Sequence, residues 1–203
     1  YNSFGDFLDS DKSWESYKKI LFDPYPEMKA VHNKQLSWGN IDSLKFPEEV
    51  KYYKKEDWEN YFTQYDDNTL NVLYDSVIAN ENKILKPVNN NNINLCLFLP
   101  YGGCFVIPDK DKSTIYISLL IDPNDAQKIM VHEYAHNLHI QRHTAEPFRL
   151  AREIVAEGIA VYLTTLTIKD MEIYNAIPFM PESSVKWCFA NEPVIKDSIK
   201  AEL

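Results

Sequence analysis

The chain has 203 residues, with 21 Lys and Arg against 30 Asp and Glu, for a net charge of −9. That length suits one sizeable domain burying about 70% of the unfolded chain's surface, and a hydrophobic share of 45% excludes compositional disorder. The acidic balance disfavours nucleic acid and anionic lipid as partners, because like charge lowers their local concentration, and no apolar run approaches the roughly 18 residues of a membrane span.

The first residues, YNSFGDFLDSDKSW, hold no apolar signal core. The start on Tyr1 rather than Met leaves room for a removed upstream segment. A cytoplasmic location is the expectation, with a secreted or lipid-anchored protein as the alternative. From Ser13 to Leu85 the pattern reads mostly helical. FPEEVKYYKKEDWENYF opens with Pro47 and acids suited to a helix N-terminus. DDNTLNVLYDSVIANENKIL carries Leu70, Leu73, Val77, Ile78 and Ile84 at helical spacing. KPVNNNNIN then breaks the pattern, since Asn and Pro favour turns.

Short apolar and β-branched runs follow, LCLFLP, CFVIP and TIYISLLI, separated by Gly102-Gly103 and the charged DKDKS. They predict a small sheet. At Asp122-Pro123 a helix begins, with Asp as cap and Pro at its first position, and runs to about His143. TAEP turns the chain, and a second helix starts near Pro147 and continues through FRLAREIVAEGIAVYLTTL. Shorter helical pieces lead to Leu203. The fold class is therefore α+β, mainly helical, with an N-terminal helical part over 1–90 and a core over 91–203 in one compact unit. The cysteines, Cys96, Cys104 and Cys188, are too few and too irregular for a disulfide framework. Buried thiols are the favoured reading, with a Cys96 to Cys104 bridge as the alternative.

The densest chemistry lies in IMVHEYAHNLHIQRH, residues 129–143. His132, Glu133 and His136 form H-E-x-x-H. Helix positions four apart differ by about 40° in azimuth, so both imidazoles leave one face and can share an ion, while Glu133 flanks them and can reach a water without ligating. Metal-assisted hydrolysis requires that arrangement. A catalytic zinc takes a third protein ligand. The metzincin pattern is excluded, because His139 and Arg142 stand where it needs Gly and His.

The next helix offers Glu146, Glu153 and Glu157, and a hairpin turning near Ala145 separates them. From His143 back to the centre of the His pair is about 13.5 Å of helical rise; from Pro147 forward it is about 15 Å to residue 157 and about 9 Å to residue 153. Glu157 fits as the expected third ligand. Gly158 beside it is expected to let the two helices approach closely near the ion. Glu153 reads equally as an acceptor orienting a ligand histidine or as a surface carboxylate. His139 and His143 are displaced along the axis by about 10 and 16 Å and are assigned to surface or cleft wall, with His139 kept as an alternative donor. His32 is read as structural.

IDPNDAQKIMVHEYAHNLH together with EIVAEGIAVYL resembles the YjaZ-like family of predicted zinc-dependent proteases, and H-E-x-x-H with Glu-Gly some twenty residues on resembles the gluzincin metallopeptidases generally. The likeness spans about fifty residues. Ala135 stands where the YjaZ-like pattern has the first of two histidines, and Val161 stands where thermolysin-like gluzincins place an acid. The resemblance implies a zincin-like fold with its sheet packed on the active-site helix. It also implies one Zn²⁺ on His132, His136 and Glu157, and Glu133 as general base.

The function expected is zinc-dependent hydrolysis of peptide bonds, with a peptide or protein as substrate. A strand within Ile115 to Leu120 would either align an extended substrate by its edge or simply build the core. Tyr116, Tyr162, Tyr174 and His143 are the candidates to face the oxyanion. The rival readings are a zinc-bound peptide-binding or protein-binding module that does not hydrolyse, supported by Ala135, and an amphipathic scaffold with no metal.

Overall fold

The computed structural model describes residues 2–26, 29, 33, 45, 48, 50–63, 67–88, 92–98, 104–107, 112–118, 123–142, 150–178 and 180–202. Helix α1 spans Asn2–Leu8, α2 spans Trp14–Tyr17 and passes into a π-helical turn at Lys18–Phe22, α3 spans Lys55–Thr63 and α4 spans Asp67–Ile84. Strands β1 (Asn92–Phe98), β2 (Cys104–Ile107) and β3 (Lys112–Ser118) follow, then α5 (Pro123–Ile140), α6 (Leu150–Thr167), α7 (Ile173–Ala176), α8 (Glu182–Ala190) and α9 (Glu192–Glu202). The protein is thus α+β and mainly helical. No helix among the described residues is long and apolar enough to cross a membrane.

Contacts divide the chain into two units, one of Tyr1–Thr69 with Leu97–Gly103 and Ser118–Ile121, the other of Leu70–Cys96, Cys104–Ile117 and Asp122–Leu203. The main division falls near residue 69 rather than at 90, because most of α4 packs with the second unit. In the first unit, α1 was not foreseen. Phe4, Phe7 and Leu8 recur at helical spacing and are buried with Tyr17, Leu21, Phe22 and Trp58. Phe4 meets Trp58 with ring centroids at 4.6 Å, and Phe7 meets Tyr17 edge-on at 4.9 Å. These pairs replace an aliphatic core with aromatic area.

The second unit is organised around α5. From Ile129 to His139 every residue but His136 is buried, as expected of a helix covered on several sides. It packs on α6 and on β2. Behind it, the Tyr134 hydroxyl donates to Asn82 Oδ1 of α4 at 2.8 Å. The Val88 N–H donates to Gln141 Oε1 at 3.0 Å, and Arg142 Nη2 donates to the Lys86 carbonyl. Ala135, Ala160 and Leu163 form the α5–α6 core, with Leu85 and Ile159 against it. Small residues at 135 and 160 let the two helices lie close.

The strand order is β1-β3-β2. Strands β2 and β3 run antiparallel, pairing Cys104 with Ile117, Phe105 with Tyr116, Val106 with Ile115 and Ile107 with Thr114. Of the two roles expected for the strand beginning at Ile115, this favours building the core and sets aside the free edge. Ile115 to Ser118 lie on the central strand, whose hydrogen bonds are taken on both sides, so among the described residues the sheet's edges are β1 and β2; residues 119–120 fall outside the described residues. Cys104 and Cys188 are half-buried, and the Cys96 side chain lies outside the described residues.

Candidate metal centre

Successive turns of α5 carry His132 and His136, and their rings meet edge to face with centroids 4.7 Å apart. Glu157 reaches them from α6. Its Oε2 lies 3.1 Å from His132 Nε2 and its Oε1 lies 3.3 Å from His136 Nε2, while the two Nε2 atoms are 3.0 Å apart. Donors held about 2.0–2.2 Å from a tetrahedral zinc lie about 3.3–3.6 Å from one another. Each ring nitrogen lies within a few tenths of an ångström of that separation from one carboxylate oxygen, though not the same oxygen, and one ligand atom from each residue falls within 4.8 Å of the other two. Two ring nitrogens at 3.0 Å share either the N–H hydrogen of one ring, set by its tautomer, or a metal ion. The chemistry of the donors and their spacing both fit zinc.

The surroundings are asymmetric. The His132 and His136 side chains are 6% and 15% exposed, against 61% for Glu157, so the imidazoles are walled in and the group opens on the carboxylate side. Hydrogen bonds from both histidines hold the Glu157 carboxyl far below its usual range. For His136, burial opposes the charged ring, but the Glu157 hydrogen bond and the charges of Glu133 and Glu157 outweigh it and the net shift is upward. His132 Nδ1 is buried and meets no acceptor among the described residues. Glu153 is exposed and does not supply that acceptor, which leaves it a surface carboxylate as far as His132 is concerned. Half-buried Val161 offers none either.

Glu133 stands beside the donors without joining them. It is 5% exposed, turned towards β2, where the Val106 N–H bonds to its carboxylate. Burial pushes its carboxyl up to about 7, and the Glu157 charge adds to this, while His136 and the Val106 N–H pull the other way. A carboxyl balanced near neutrality can both accept and release a proton.

Two expectations are corrected here. A Cβ built on Gly158 would meet nothing within 4 Å, so Gly158 is not what lets the helices approach; Ala135 and Ala160 occupy that contact instead. Gly158→Ala is accordingly expected to raise stability by up to about 1 kcal/mol, through helix propensity alone, as a urea melt would show. His139, assigned to surface or cleft wall, is buried at 7%, because α5 is enclosed on the side where it projects; it is not part of the donor group.

Two of the oxyanion candidates make ring contacts elsewhere, and a third is exposed. Tyr116 is buried and stacks on Phe105 with centroids 5.1 Å apart, Tyr174 lies edge-on to Phe189 at 5.4 Å, and Tyr162 is 61% exposed. His32, His143 and Glu146 lie outside the described residues. Among the buried polar groups that the sequence reading missed is the carboxyl of Glu81 in α4, which is fully buried. The signal was there: Tyr74, Val77, Glu81 and Leu85 continue one helical face.

No protein-family model, no curated protein and no solved structure matches the chain. Among the described residues, His132, His136 and Glu157 form a group that could hold a metal ion.

Proposed function

We propose that the protein is a zinc-dependent peptidase of the gluzincin type, built on a zincin-like fold. The observation that carries this reading is the His132, His136 and Glu157 triangle with a buried carboxyl, Glu133, beside it and outside it. A purely structural zinc is closed by four ligands and has no use for such a neighbour. Zinc held by these three donors would supply Lewis acidity, making a water acidic near neutral pH and polarising a carbonyl. Glu133 takes the proton of the water attacking the scissile carbonyl carbon and passes it to the leaving amine nitrogen as the C–N bond breaks. Its low-dielectric seat favours the neutral form, which makes it a willing acceptor. Strand β2, an edge strand packed on α5, gives an extended peptide a ladder to join.

One observation favours the second reading, a zinc-bound module that binds peptides without cutting them: Tyr116 and Tyr174 face other partners. The two readings separate in one experiment. Metal content is measured on the purified protein, and zinc-loaded and chelated forms are screened over mixed peptides with product masses recorded. Zinc-dependent cleavage supports the peptidase; zinc without cleavage supports the binding module; absence of zinc at stoichiometric supply removes both. Glu157→Ala should weaken zinc binding by more than about 100-fold, since losing a ligand costs more than losing an outer partner. It should also abolish the rise in melting temperature that zinc gives the parent protein.

A further inference from the structure

A cavity of about 350 Å³ lies further along the metal-bearing helix, where Asp125, Gln127 and Lys128 of α5 face Ile168, Met171 and Asn175. Lys128 stands four residues before His132, so the two side chains leave α5 within about 40° of each other and about 6 Å apart along the axis. Asp125, seven residues before His132, returns to within about 20° of the same line. The Asp125 and Lys128 wall of the cavity and the donor group therefore share one side of α5, while Gln127 lines the cavity from about 140° away.

The cavity is polar at one wall and apolar at the other. Lys128 Nζ donates to Asp125 Oδ1 at 2.9 Å, with the Lys128 side chain 18% exposed and that of Asp125 54% exposed. An ammonium has three donors and Asp125 takes one. The remaining two act from a partly desolvated position, where a charge counts for more than on open surface. Asp125 opposes an incoming anion, but it is the more solvent-screened of the pair and its Oδ1 is already neutralised. The first turns of α5 add the positive end of the helix dipole, Asn175 adds an amide donor, and Ile168 and Met171 supply a surface for an apolar side chain.

We propose that this cavity receives the free C-terminal carboxylate of the substrate, so that the protein releases a short C-terminal fragment instead of cutting within a chain. The inference rests on the peptidase reading above. Along α5, the centre of the His pair lies about 9 Å from Lys128 and about 13.5 Å from Asp125. The Lys128 ammonium, held by Asp125, sits between those levels. An extended peptide advances about 3.3–3.6 Å per residue, so about three residues separate the scissile carbonyl from a carboxylate on Lys128.

The test uses the full zinc-loaded chain and one decapeptide in three forms: free acid, C-terminal amide and N-acetylated acid. The free acid is expected to lose a fragment of about three residues, the amide to be cleaved about tenfold more slowly in kcat/KM, and N-acetylation to change nothing. Lys128→Gln should raise KM for the free acid and bring the acid-to-amide ratio towards one with zinc content unchanged, and Lys128→Arg should restore the preference. Equal cleavage of acid and amide at internal bonds overturns the inference and leaves the peptidase standing. Loss of cleavage on N-acetylation, or a Lys128→Gln protein that keeps the preference, overturns it as well. If none of the three peptides is cut, the peptidase reading falls and takes this inference with it.

Discussion

Glu133→Gln is expected to bind zinc as the parent does and to lose peptide cleavage, with kcat falling by about 10²–10⁴-fold. The donors are three other side chains, so the carboxyl of Glu133 contributes nothing to the ligand count. Gln has the same shape, and its amide oxygen can still accept from the Val106 N–H that bonds to the carboxylate. Packing between α5 and β2 is kept. What the amide lacks is a basic oxygen that can take a proton from water and return it to the amine. The variant should therefore match the parent in metal content and in melting temperature with zinc, and differ in turnover alone. A variant that loses its zinc would make Glu133 part of the metal's support; one that keeps its turnover would remove it from the chemistry.

How much of this was legible before the structure follows from how local each feature is. The alignment of His132 with His136 needs only helical geometry, and the reach of Glu157 needs only the rise per residue on either side of a short turn, so both were readable. Strand order is different. Each strand announces itself by its apolar run, but whether β3 or a neighbour occupies the centre is set by pairing between segments, and alternation within one strand carries no record of it. The run from Ile115 was therefore left between an edge and a core-building role, and only the pairing decides for the second. His139 was misplaced for a related reason: a polar residue on one helix reads as solvent-facing until the packing of α4, α6 and β2 around α5 is known. Gly158 was read as a contact residue because glycine inside a helix costs stability and invites an explanation; the contact is instead made by the alanines at 135 and 160.

Glu81 escaped in the same way, and it carries the second large effect. Glu81→Gln should leave the protein's stability unchanged at about pH 4 and raise it progressively above that, reaching on the order of a few kcal/mol by pH 8. The side chain is 0% exposed, and neither carboxyl oxygen has a hydrogen-bond partner among the described residues. Burial alone pushes its pKa from the usual 4.5 to about 9. Around it stand the Tyr134 hydroxyl, close enough to feel its charge, and Tyr74, seven residues earlier on the same helix face.

In the folded protein burial holds the Glu81 proton until about pH 9, whereas in the unfolded chain it is released near the ordinary 4.5. Between those values the fold holds one proton more than the unfolded chain, so the stability this group allows is full below the lower value and declines as pH rises to the upper one, by up to about 1.4 kcal/mol per pH unit. Gln is neutral throughout and nearly the same volume, so it keeps the shape of the protonated acid and removes the titration. Melting temperatures of the two proteins, taken without zinc across pH 4 to 9, should coincide at the acid end and separate by roughly 5–15 °C at the alkaline end. Parallel curves would mean that Glu81 is ionised in the fold and meets a cationic partner. A variant less stable than the parent at every pH would mean that the carboxyl, rather than its burial, is what α4 and α5 require at this position.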